Sequence, residues 1–415
     1  MPSKVLIGCI ADDFTGASDV CSFLMRAGAR CLLLNSIPEG EAAAGYDVVV
    51  IALKIRSIPR LEAVEQAGQA LRWLQSRGVQ RFYYKYCSTF DSTAEGNIGP
   101  VLDYMLEALN QRYTVLSPAL PDNQRTVFNG YLFAGRSLLS ESSMSKHPLN
   151  PMTDSFIPRL MERQSACACH VLNYLDLERP AEELRAHAEG LSKDGRCYLC
   201  CDYFEQAHGD RIAAAFGGLK LLSGSSALIR DWYLTLNPEK QPELPEKKAE
   251  GSFPALILSG SLSSQTRVQV SSFARSGGKA LPITLQDIER GAEGLRCFYK
   301  AVSGLREDLL IYSSVPSGAA VSQDQGQSAR VEEAMADLAA HALKSGVRRL
   351  IVAGGETSGA VITRLGFKAF DIGSEIAPGV PILRPVRQEG LQVVLKSGNF
   401  GQDDFFRRAI SLMEG

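Results

Sequence analysis

One pattern constrains this chain more than any other. A short apolar run rich in β-branched residues is followed by a turn of Gly, Ser, Asp or Thr, and then by apolar residues at helical spacing. Residues 4–10 form such a run, and 16–27 carry the helical spacing, closed by Gly28. Further apolar runs stand at 29–34, 47–53, 81–86 and 113–116, with helical patterns at 60–77 and 97–110. Between 151 and 232 the alternation continues, with strand-like runs near 170–172 and 197–201. Strands that are apolar throughout, rather than at every second residue, are buried on both faces, which predicts a parallel sheet flanked by helices. Runs such as 48–53 and 256–258 fall far short of the roughly 18 residues that a membrane span needs.

The pattern breaks once. Residues 237–254, NPEKQPELPEKKAEGSFP, lose apolar periodicity and fill with Pro, Lys and Glu, the composition of a solvated linker. It then restarts, with strands at 255–258, 309–312 and 349–353 and helices at 264–276 and 328–345. At roughly 150 residues per domain, a chain of 415 holds two or three. The expected fold class is therefore α/β, with two α/β domains (1–236 and 255–415, joined by the linker 237–254), each with a largely parallel sheet flanked by helices.

Charge narrows the partners. Lys plus Arg number 44 against 46 Asp plus Glu, so the net charge of -2 creates no field for nucleic acid. Ten cysteines are too few for a disulfide scaffold and lack zinc-knuckle spacing, so they read as reduced thiols. Asp12 and Asp13 fall where a secretory segment would stay apolar, so a cytoplasmic location is expected.

Open α/β sheets bind ligands beyond the carboxyl ends of their strands. In the first domain three segments reach such an end: Asp12-Asp13-Phe14-Thr15-Gly16, Lys54-Ile55-Arg56-Ser57, and the stretch from Lys85 to Thr93. Adjacent carboxylates repel unless they are hydrogen-bonded or face a cation. Arg56 and Lys85 supply cations, Asp91 a third carboxylate, and Ser88 and Thr89 hydroxyls. Such a cluster suits a small substrate carrying a carboxylate and hydroxyls. An Asp helix cap and surface ion pairs are the plainer alternative.

In the second domain Gly354-Gly355-Glu356-Thr357-Ser358-Gly359 joins a strand to a helix, an arrangement that suits a nucleotide polyphosphate. Ser259-Gly260-Ser261 and the stretch from Lys396 to Gly401 stand at other strand ends. The pattern is neither the P-loop nor the dinucleotide fingerprint, and glycine turns also serve simply to reverse a chain.

Taken together, IADDFTGASDV, KYCSTFDSTAEGNIGPV, GGETSGAV and KSGNFG resemble the four-carbon acid sugar kinase family over essentially the full length. PALPDNQRTVFNGYLF and HPLNPMTDS look most like its branch acting on 3-oxo-tetronate, rather than on D-threonate or D-erythronate. The resemblance implies ATP-dependent phosphorylation of the terminal C4 hydroxyl, with Mg²⁺, in a cleft between an acid-sugar domain and a nucleotide domain. It carries Asp12, Asp13, Thr15, Arg56, Lys85 and Asp91 to the substrate side, with Ser88 beside them. To the nucleotide side it carries Ser259, Gly355, Glu356, Thr357, Ser358 and Gly398 through Gly401. Asp12 is the first candidate for the base that accepts the hydroxyl proton, and Asp13 and Asp91 are the others. No protein-held metal site, nucleic acid or membrane partner is expected, while a homo-oligomer and a non-catalytic carbohydrate-acid sensor stay open.

Overall fold

The computed structural model describes residues 5–38, 45–146, 150–239, 253–314 and 325–413. Most of the expected linker (240–252) and the first three residues of HPLNPMTDS (147–149) lie outside the described residues. Residues 5–239 belong to one compact unit and 253–413 to a second.

In the first unit the strands are β1 (Ile7–Ala11), β2 (Cys31–Leu34), β3 (Val48–Ala52), β4 (Phe82–Lys85), β5 (Tyr113–Ser117), β6 (Arg125–Phe128), β7 (Tyr131–Ala134), β8 (Ser137–Leu138), β9 (Ala168–Leu172), β10 (Cys197–Cys201) and β11 (Leu221–Gly224). Eight of them form a parallel sheet in the order β2-β3-β1-β4-β11-β5-β10-β9. Every residue of β1 to β5, β10 and β11 is buried, as their unbroken apolar runs require.

The helix Phe14–Arg26 shows how the flanking layer is made. Asp13 caps it by accepting from Gly16 N–H at 2.7 Å. Ala17, Val20, Cys21 and Leu24, at i, i+3, i+4 and i+7, are buried. Gly28, at φ 82°, turns the chain out. The Asp13 cap places the helix start at Phe14, earlier than the apolar spacing alone indicates.

Strands β6, β7 and β8 form a separate antiparallel sheet that the run-and-helix pattern does not reveal. Its hairpin turns at Asn129-Gly130, both at positive φ, the chemistry a tight hairpin demands.

The second unit holds β12 (Ala255–Ser259), β13 (Lys279–Ile283), β14 (Leu309–Ser313), β15 (Arg349–Ala353), β16 (Ala369–Ala377), β17 (Val380–Pro385) and β18 (Gln392–Lys396). Five run parallel in the order β13-β14-β12-β15-β18, and β17 then pairs antiparallel with both β18 and β16. Ile257, Leu310, Ile351 and Val394 pack with Phe273, Phe405, Phe406 and Met413 in its core. Among the described residues no helix is long and apolar enough to cross a membrane.

Candidate active site

Parallel register brings distant segments together. Ala11 pairs with Ala52 on one side and Lys85 on the other, so the chain leaves β1, β3 and β4 at one rim of the first unit. Arg56 is the centre of that rim. Its Nε and Nη2 donate to Asp12 Oδ2 and Oδ1 at 2.8 and 3.0 Å, Nη2 also lies 3.0 Å from Asp13 Oδ1, and Nη1 donates to Asp91 Oδ2 at 3.1 Å. One guanidinium thus holds three carboxylates, Asp12 by the two-pronged grip that only Arg can make.

These carboxylates differ. Asp12 is 2% exposed and both its oxygens are taken by Arg56. Burial pushes its carboxyl above the ordinary value, opposed by Arg56. Burial works against the Arg56 charge too, but Asp12 and Asp13 outweigh it and hold the guanidinium firmly protonated. Asp91 is buried between Arg56 and Asn150, whose amide donates to Asp91 Oδ1 at 3.1 Å. Asp13 is the most exposed of the three, and among the described residues no donor reaches its Oδ2.

Lys85 is 3% exposed and its ammonium donates to Tyr86 O at 2.8 Å, the side chain's one hydrogen bond among the described residues. A Cβ at Gly16 would come within 3.0 Å of its Nζ, so glycine keeps this approach open. Thr15 and Ser88 are half-buried at the same rim, and their hydroxyls bond no described residue. Phe90 and Asp91 lie in the left-handed region, at φ 60° and 46°, which costs energy for a bulky residue and is held by the surroundings.

Asn97, Asn150 and Gln164 complete this rim, and motif reasoning did not single them out. Buried Asn97 donates to the carbonyls of Ile55 (2.7 Å) and Ile58 (2.8 Å), clamping the loop that carries Arg56. Gln164 bonds Ser92 Oγ and Thr93 O, tying down the loop after Asp91. Asn97 and Asn150 do lie inside the quoted stretches GNIGPV and HPLNPMTDS, but their roles rest on contacts across 39 to 59 residues.

In the second unit Ser259, Ala353 and Lys396 stand in register, so the turns after β12, β15 and β18 adjoin. The helix Gly355–Leu365 starts at Gly354 with no side-chain cap, and among the described residues its first N–H groups have no acceptor, the usual basis of an anion site. The hydroxyls of Ser259 and Ser358 are buried with no partner among the described residues. Thr357 is buried beneath Gly260 and Gly354, where a side chain on either glycine would strike its Oγ1. At Gly355 a Cβ would meet nothing within 4 Å, and Glu356 is exposed beside it. Gly398 is pressed against Ser261 Oγ, 2.6 Å from an added Cβ, and Gly401 takes φ 82° over Phe405. Orphaned hydroxyls, free N–H groups and glycine-lined space fit a polyphosphate. Among the described residues no group of three or more His, Cys, Asp or Glu gathers as a metal cage.

A family model for a sugar-binding N-terminal domain matches residues 7–232, and one for a nucleotide-binding C-terminal domain matches 256–406. The 3-oxo-tetronate kinase of Actinobacillus succinogenes is 41% identical over 412 residues, 98% of this chain and 99% of that protein. The one from Salmonella typhimurium is 41% identical over 419 residues, 97% and 98% of the two chains. A solved structure from Salmonella typhimurium matches with a TM-score of 0.87 at 39% identity, covering 98% of this chain and 99% of that one. Another, from Haemophilus influenzae, gives 0.84 at 38%, covering 98% and 100%. A sugar-binding unit followed by a nucleotide-binding one, with relatives named as kinases, defines an ATP-dependent sugar-acid kinase. The chain belongs to the four-carbon acid sugar kinase family.

Proposed function

We propose that the enzyme transfers the γ-phosphoryl group of ATP to the C4 hydroxyl of 3-oxo-tetronate, giving 3-oxo-tetronate 4-phosphate and ADP. The observation that carries this reading is the full-length identity of about 40% to relatives named for that substrate, which spans both the carboxylate rim and the glycine turns. The bond from the C4 oxygen to the γ-phosphorus forms as the bond to the β-phosphate oxygen breaks. The hydroxyl proton goes to a rim carboxylate. Asp12 has both oxygens engaged by Arg56, and Asp91 has one engaged by Arg56 and the other by Asn150, so we assign the proton to Asp13, with Asp91 and Asp12 as the alternatives.

Lys85 keeps N–H donors that no described residue claims and would meet the substrate carboxylate, with Thr15 and Ser88 on its hydroxyls. Arg56 acts mainly by fixing the three carboxylates. On the second unit the helix start at Gly355, the turn at Gly398 to Gly401 and the hydroxyls of Ser259 and Ser358 would hold the phosphates. Mg²⁺ enters as the MgATP complex, carried by the phosphates as is usual for that ion. With little covalent work for the protein to do, catalysis is positioning and charge neutralisation. We place the acid sugar on 1–236 and ATP on 255–415, in a cytoplasmic enzyme.

Purified protein with ATP and Mg²⁺ should release ADP rapidly with 3-oxo-tetronate and slowly with water alone. Faster turnover of D-threonate or D-erythronate would overturn the substrate and keep the family. Saturable acid binding without turnover would instead mark a sensor.

A further inference from the structure

We propose that Lys396 is a positioning residue for the nucleotide phosphates. From beneath the turn 397–401 its ammonium pins two carbonyls inward and leaves a positive charge, paired with no carboxylate, behind the N–H groups that would face the phosphates. The inference rests on the nucleotide reading of the second unit and adds to it a residue that touches no open surface.

Lys396 ends β18 and is 1% exposed. Its three protons go to Thr266 Oγ1 (3.2 Å), Ser397 O (3.0 Å) and Gly398 O (3.1 Å), all neutral acceptors. No carboxylate pairs with it among the described residues, and burial alone pulls its pKa down to about 8. A lysine is rarely fully buried without a counter-charge, so an anion belongs nearby. Gly398 O is gripped by two further donors, Thr266 Oγ1 at 2.7 Å and Ser263 Oγ at 2.8 Å. In a trans peptide C=O and N–H point opposite ways. Fixing the carbonyls of Ser397 and Gly398 inward therefore turns the N–H groups of Gly398 and Asn399 outward, and neither has an acceptor among the described residues. Two hydroxyls with no partner among the described residues adjoin this turn, Ser259 at the end of β12 and Ser358 in the first turns of the helix that follows β15.

The test uses the intact chain and titrates ATP, adenosine and the acid sugar separately by calorimetry. Lys396→Met keeps the length of the stem and removes the charge. It should weaken ATP by about tenfold or more while adenosine and acid-sugar affinities stay within about twofold. Unchanged ATP affinity in the folded variant overturns the proposal, and so does equal weakening of ATP and adenosine, which would mean a merely structural lysine. Should Lys396→Met fail to fold, Thr266→Val reads the same split by removing one donor from Gly398 O and one acceptor from the ammonium. It should weaken ATP about threefold and spare adenosine, and an unchanged ATP affinity there overturns the proposal. If the unsubstituted protein binds no ATP at all, the nucleotide reading fails and this inference falls with it.

Discussion

Arg56 is held by three carboxylates, so its removal does two things at once. Asp12 would be left buried and unpaired, which should cost about 2–3 kcal/mol, less than for a fully buried pair because Arg56 is 21% exposed. The loosened rim should raise KM for the acid sugar and leave KM for ATP alone. Urea midpoints and steady-state kinetics of Arg56→Ala check both, and an equal rise in the two KM values would contradict the assignment. Asp13→Asn isolates the chemistry instead. Asparagine still caps the helix through Gly16 N–H, so stability should hold while kcat falls by about 10²–10⁴. Near-normal turnover would pass the proton to Asp91 or Asp12.

Strand ends, not sequence neighbours, assemble both candidate rims. Because β1, β3 and β4 run parallel in close register, segments at 12–16, 54–57 and 85–93 converge, and the same logic joins the turns after β12, β15 and β18. That convergence makes a sharp prediction for the helix start. Gly355 has open space where a Cβ would lie, so Gly355→Val should fold and melt normally yet bind ATP weakly, because the side chain fills ground meant for phosphate. A folded variant with unchanged ATP affinity would move the phosphate site elsewhere. Strands were legible where burial on two faces gives an unbroken apolar run, as at β10 and β15 (197–201 and 349–353), whereas the buried β11 and mostly buried β17, interrupted by Ser223 and Pro381, were not read. Strands β6, β7 and β16 are only partly buried, so no such run marks them. The Asn129-Gly130 pair was the one available sign of the β6-β7 hairpin. Charged rim residues were readable from their place after strands, whereas Asn97, Gln164 and Lys396 act through carbonyls and turns that only folding brings near.

Buried groups of the two units pull in opposite directions at mildly alkaline pH, the thiols of the first against Lys396 of the second, a comparison that no single site reveals. Of the seven free and buried cysteines of the first unit, burial raises the thiols of Cys9, Cys21, Cys169, Cys197, Cys200 and Cys201, Cys197 to about 11 and the others further or in the same direction. Unfolded thiols ionise near 8.5, so above that pH the folded unit holds protons that the unfolded chain has lost. Stability present below about pH 8.5 is therefore lost as pH rises, by about 1.4 kcal/mol per unit for each thiol. Lys396 in the second unit has the reverse sign. Its lowered pKa, about 8, means that between there and the ordinary lysine value the unfolded chain binds the extra proton, so stability there grows with pH. The only two tryptophans, Trp73 and Trp232, both lie in the first unit, so their fluorescence reports on it while far-ultraviolet dichroism reports on both. Urea unfolding under reducing conditions should thus show a fluorescence midpoint that drops between pH 7.5 and 9.5. The dichroism should separate into two transitions at the higher pH, the later one belonging to the second unit. Coincident, unshifted transitions at both pH values would mean that the thiols ionise in the folded protein, contrary to their burial in β1, β9, β10 and the helix Phe14–Arg26.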